Sequence, residues 1–133
     1  MRLTRFSDYA LRLLIYVGSR PGQRTTIADA ATAYGISRNH LMKVAHRLAL
    51  AGLLRPSRGR TGGLALGRPA SAISLGDVLR ATEPDFALVG CMAGESCVMI
   101  ELCRLPQAFD AALAAFLETA DRQTLADFVL PAM

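Results

Sequence analysis

Cys91, Cys97 and Cys103 are all the thiols this chain has, and two identical gaps of five residues separate them. On a regular helix a six-residue step turns the chain by roughly 600°, so the three thiols would point about 120° apart. They could not converge on one face. In a loop they can, and Gly90 and Gly94 favour a loop here. Three thiolates closing on a point make a soft, anionic pocket suited to iron–sulfur or zinc, with one coordination position left for another ligand. A redox-active thiol set and plain burial as small core side chains are the competing readings. Three is an odd number and nothing points to an oxidising compartment, which argues against a disulfide framework.

A second constellation is basic. The formal net charge is +4, and it is unevenly spread. Residues 1–76 hold twelve Lys/Arg against Asp8 and Asp29, a balance of +10; residues 77–133 hold three Arg against nine acids, a balance of −6. Between Asp29 and Asp77 there is no acid, and the interval carries Arg38, Lys43, Arg47, Arg55, Arg58, Arg60 and Arg68. That pattern predicts a polyanion as partner of the N-terminal half and a different task for the C-terminal half.

The elements that must position these residues follow from apolar spacing and cap residues. Phe6, Ala10, Leu13, Leu14 and Val17 predict a helix over about 4–18, with Arg5, Asp8 and Arg12 on its polar side. Locally, Asp8 reads as a solvated carboxylate paired with Arg12 four residues on. Thr26 to Asp29 is a capping box that opens a second helix, Gly35 ends it, and Ser37 caps a third running to Ala51. This is a helix-turn-helix over about 26–51. In the third helix Leu41, Val44, Ala45 and Leu48 face inward, while Arg38, Asn39, His40, Lys43, His46 and Arg47 face outward. Arg38, Asn39 and His40 occupy the first turn, the part of this motif that reaches base edges. Residues 53–66 predict a two-stranded wing whose tip, 58–63, offers Arg58 and Arg60 to a minor groove or to phosphates.

Ser74 to Asp77 is a second capping box, opening a short helix that Pro84 ends before the cysteine loop at 91–103. A helix over about 105–120 carries Leu105, Phe109, Leu113, Phe116, Leu117 and Ala120 as a stripe too long for its own domain to cover. A symmetric homodimer is the economical partner for it. A third capping box, Thr124 to Asp127, starts a last turn. The expectation is a mainly α chain, one winged helix-turn-helix domain over 2–130 with a long C-terminal dimerisation helix. An apolar content of 52% with few aromatics fits it. No apolar run approaches the ~18 residues that span a bilayer, and the N-terminus lacks the features of a signal peptide. The expected location is the cytoplasm, away from membranes, where thiols stay reduced.

Taken together, several stretches resemble the winged-helix iron–sulfur transcriptional regulators, most closely the nitric-oxide-sensing repressors among them. They are Leu3 to Tyr9, Tyr34 to Leu41, Arg58 to Gly63, Gly67 to Ile73, the three cysteines ending in Cys103-Arg104-Leu105, and Thr124 to Asp127. The resemblance covers nearly the whole chain in order. It implies a homodimer with one iron–sulfur cluster per subunit, [2Fe–2S] or [4Fe–4S], ligated by Cys91, Cys97 and Cys103. It implies Asp8 of the other subunit as fourth ligand, with Glu95 and Glu101 the other carboxylates at hand. The implied function is a repressor that binds double-stranded operator DNA and releases it when nitric oxide attacks the cluster. The alternative within that class senses iron–sulfur supply or redox state. From another class, a small electron-transfer or thiol-based enzyme is disfavoured. No Ser-His-acid set or phosphate-cradling loop is present, and both histidines fall on the expected DNA face.

Overall fold

The structure, a computed structural model, describes residues 1–60 and 62–131. Five α-helices and one hairpin follow in order: α1 Arg5–Gly18, α2 Ile27–Tyr34, α3 Arg38–Leu50, β1 Leu54–Pro56, β2 Leu64–Leu66, α4 Leu75–Thr82 and α5 Leu105–Arg122. Helix α1 is the hub. It packs against α3, α4, β2 and the turn at Leu125–Asp127. Its entry is set by Thr4, whose side chain accepts the Ser7 N–H, and by Asp8, a carboxylate in the positive first turn. Its buried face is Ser7, Ala10, Leu13, Leu14 and Val17. Phe6 is only half-buried beside that face. Ser7 is fully buried in its place, its hydroxyl 2.7 Å from that of Thr82, which also donates to the Val78 carbonyl. A buried hydroxyl is tolerable because it is bonded.

The expected capping boxes are present at Thr26–Asp29 and Ser74–Asp77, and Asp127 accepts the Thr124 N–H at 2.8 Å. The last two meet across an isolated antiparallel bridge, Ser74 with Thr124, which brings Leu125 into the core at 1% exposure. At the end of α1, Gly18 has a side-chain methyl of Val129 pressed against it, and Ser19 accepts the Leu130 N–H. Helix α5 is tied to α4 by Arg80 and Asp121, a bidentate pair at 2.6 and 2.9 Å that holds the Asp121 carboxyl below the usual carboxylate range. Of its eighteen residues only Ala120 is buried. Leu105 and Phe116 are exposed, and Phe109, Leu113 and Leu117 half-buried, so one copy of the chain leaves the stripe open. A groove of about 600 Å³ runs along it, lined by Leu3, Phe86, Phe109, Leu113 and Phe116 among others. No helix of the described residues is long and apolar enough to cross a membrane.

Candidate nucleic-acid interface and cysteine loop

The turn into α3 needs a left-handed residue, and Gly35 supplies it with φ +64°. Ile36 is buried behind the turn, and the Ser37 side chain accepts the His40 N–H. Leu41, Val44, Ala45 and Leu48 sink into the core, which turns Arg38, Asn39, Lys43 and Arg47 to solvent. His40 behaves differently from its neighbours. It is half-buried against α1, its ring edge-on to Tyr9 at 4.9 Å and 6.4 Å from Phe6. Met42, which the sequence reading passed over, is half-exposed on the same outer face. Among the described residues none of Arg38, Lys43, Arg47, Arg55, Arg58 and Arg60 pairs with an acid; Arg68 does, 3.7 Å from Asp77, and donates to the Ala72 carbonyl. The free basic set is therefore six.

The wing pairs Leu54 with Leu66, Arg55 with Ala65 and Pro56 with Leu64. Arg58 and Arg60 are exposed at its tip, and Thr61 of the expected turn lies outside the described residues. Gly62 has no room for a side chain: a Cβ there would collide with the Ser57 carbonyl. The hairpin is held near its tip by the connection between α1 and α2. Arg24 Nε donates to the Gly62 carbonyl at 2.6 Å, and Leu64 N–H donates to the carbonyl of buried Thr25 at 2.7 Å. Sequence reasoning gave Arg24 no role, because a contact across 38 residues leaves no local signal.

The cysteines do lie in irregular chain. Cys91 sits in a 3₁₀ turn at Gly90–Ala93, Gly94 follows at φ +92°, and the path through Cys97 to Cys103 is irregular chain and turns. Short-range backbone bonds hold it, such as Glu95 N–H to the Gly90 carbonyl and Cys103 N–H to the Met99 carbonyl. All three thiols are free; Cys91 and Cys103 are half-exposed and Cys97 exposed. Among the described residues no three His, Cys, Asp or Glu side chains are gathered closely enough to hold a metal ion. Asp8 is on α1, bound to Arg12 through Nε at 3.1 Å and Nη2 at 3.0 Å, both side chains nearly half-exposed. By donor chemistry the loop suits an iron–sulfur cluster: three unpaired, reachable thiols on a segment whose backbone bonds are those of local turns among the described residues.

Residues 3–131 match the family Rrf2, described as iron-dependent transcriptional regulators. Among solved structures the chain is similar to CymR, the global cysteine regulator of B. subtilis, with a TM-score of 0.72 and 25% identity over 96% of this chain and 95% of that one. It is similar to the oxidised form of Staphylococcus aureus CymR, with a TM-score of 0.71 and 27% identity over 94% and 93%. T. potens IscR shares the fold, with a TM-score of 0.73 at 22% identity over 96% and 85%.

Proposed function

The chain belongs to the Rrf2 family of transcriptional regulators, and from that premise we propose that it is a cytoplasmic, homodimeric operator-binding repressor whose DNA affinity is set at the Cys91–Cys103 loop. It is a regulator and not an enzyme. The observation that carries the sensing part is the loop itself, three free and accessible thiols beside an otherwise capped and cored fold. Cys91, Cys97 and Cys103 would hold an iron–sulfur cluster, with Asp8 of the second copy as fourth ligand. When bound, such a cluster supplies a corner held by a harder, more labile oxygen ligand, which nitric oxide can displace. This is the behaviour expected of a repressor of the NsrR type, which the sequence resembles.

The residues do the rest. Exposed Arg38 and Asn39 would meet base edges, Lys43 and Arg47 the backbone, and the Arg58–Arg60 tip the neighbouring groove. The open stripe of α5 pairs the two copies. Drawing Asp8 to the other copy means giving up Arg12, a half-exposed pair worth at most about 0.5 kcal/mol, so the local bond is no obstacle. The link fixes how far apart the two recognition helices stand, and half-sites must match that spacing. Losing it need shift the balance by only about 2.7 kcal/mol to cost 100-fold in affinity.

The test is anaerobic purification, iron and sulfide analysis, then nitric oxide titration with fluorescent operator DNA. A coloured protein with one cluster per subunit that leaves DNA as nitric oxide is added is the expected result. A coloured protein whose DNA affinity follows cluster loading or oxidation but not nitric oxide would favour the second reading, iron–sulfur-supply or redox sensing by the same cluster. A colourless protein whose affinity follows only thiol oxidation would sink both in favour of the thiols themselves. Exposed Cys97 and the likeness to CymR, the global cysteine regulator of B. subtilis, are what favour sensing by the thiols.

A further inference from the structure

Met42 is an apolar side chain in the middle of a polar, basic helix face. It is 50% exposed, whereas Leu41, Val44, Ala45 and Leu48 of the same helix are at most 6% exposed. It belongs neither to the hydrophobic core nor to the side chains packed against that core. Helical spacing puts it four residues after Arg38, three after Asn39 and four before His46, so it adjoins the side chains of the first turn. Long side chains on a helix lean toward its N-terminus, here toward the turn that meets base edges. The exposed ends of a major groove offer donors and acceptors with one apolar exception, the thymine 5-methyl group. A flexible, polarisable thioether suits a small apolar contact of that kind. We infer that Met42 is a specificity-determining residue that reads a thymine methyl in each half-site. The inference rests on α3 being the recognition helix, and it adds a requirement that the arginines and asparagine do not impose: thymine, and not uracil, at one position.

The experiment uses the full chain, purified anaerobically, and a duplex that this protein selects from a randomised DNA library. Each thymine of the half-site is replaced in turn by deoxyuridine, which removes the methyl and nothing else, and binding is followed by anisotropy for the wild type and for Met42→Ala. Loss of one buried methyl should weaken wild-type binding about fourfold per half-site at one position, and Met42→Ala should bind both duplexes alike. A selected sequence without thymine, no methyl-sensitive position, or equal sensitivity in Met42→Ala would each overturn the assignment. Arg38→Ala and Asn39→Ala, run alongside, separate the two failures. If they lose selectivity while no methyl matters, only Met42 is misassigned; if both select DNA as the wild type does, the recognition-helix reading falls as well.

Discussion

The DNA-facing half and the cysteine loop are built on opposite plans. Helix α3 is capped at Ser37, anchored by four buried residues, and flanked by a wing pinned to Arg24 and Thr25. Its charged side chains are free, but the backbone that carries them is over-determined. Among the described residues the backbone bonds of the loop from Cys91 to Cys103 join near neighbours only, and Val98, Met99, Ile100 and Leu102 stand exposed along it. A reader must hold its shape before the ligand arrives; a sensor must be able to change. Elements that switch come from the weakly held end of a structure, and under the function proposed above the loop would be that element.

The reader's side of this contrast breaks first under salt. With six unpaired bases per copy, some 6–10 phosphate contacts per dimer should cost about 10³–10⁵ in affinity between about 50 and 200 mM salt. A near-flat anisotropy series would remove the polyanion from the picture. The sensor's side is tested by Cys91→Ala, Cys97→Ala and Cys103→Ala, each of which should abolish the chromophore and cost about 100-fold on operator DNA, with melting temperature little changed. If melting falls as far as binding does, the loop is structural. Arg38→Ala or Asn39→Ala should then cost about 1–3 kcal/mol and relax preference at one operator position.

Smaller effects sharpen the comparison. Arg24→Ala removes one hydrogen bond and should cost about 0.5–1.5 kcal/mol in binding by loosening the wing, with faster exchange of the Leu64 amide as its signature. An unchanged exchange rate would mean that Arg24 does not hold the hairpin. Asp8→Ala should cost only a few tenths of a kcal/mol in stability, because its bond to Arg12 is half-exposed. Against that small loss, a large fall in operator affinity or a changed response to nitric oxide would mark Asp8 as part of the sensor, and wild-type behaviour would leave it a surface ion pair.

What could be read from the sequence was local. Each cap and turn is a matter of residues three or four apart, so Thr26 with Asp29, Ser74 with Asp77, Gly35 and the hairpin were all legible. The misreadings involve partners far away in the chain. Ser7 had no place in the expected core, and its burial goes with Thr82, 75 positions on, whose hydroxyl lies 2.7 Å from its own. His40, expected to face outward, is half-buried with Tyr9 of α1 against it, and Arg68 counted as a free cation until Asp77 came within reach. The cysteine loop was legible as irregular chain, but no spacing rule says which oxygen would complete its ligand set.

The position of Leu125 has a consequence for synthesis. It is buried in the same core as Leu13, Leu14 and Ile73, so that core stays unfinished until residue 125 has left the ribosome. At about 5–20 residues per second, the helices made first wait several seconds with part of α1 open to water. Helix α3, the proposed DNA reader, therefore cannot complete its packing before the Cys91–Cys103 loop has been made.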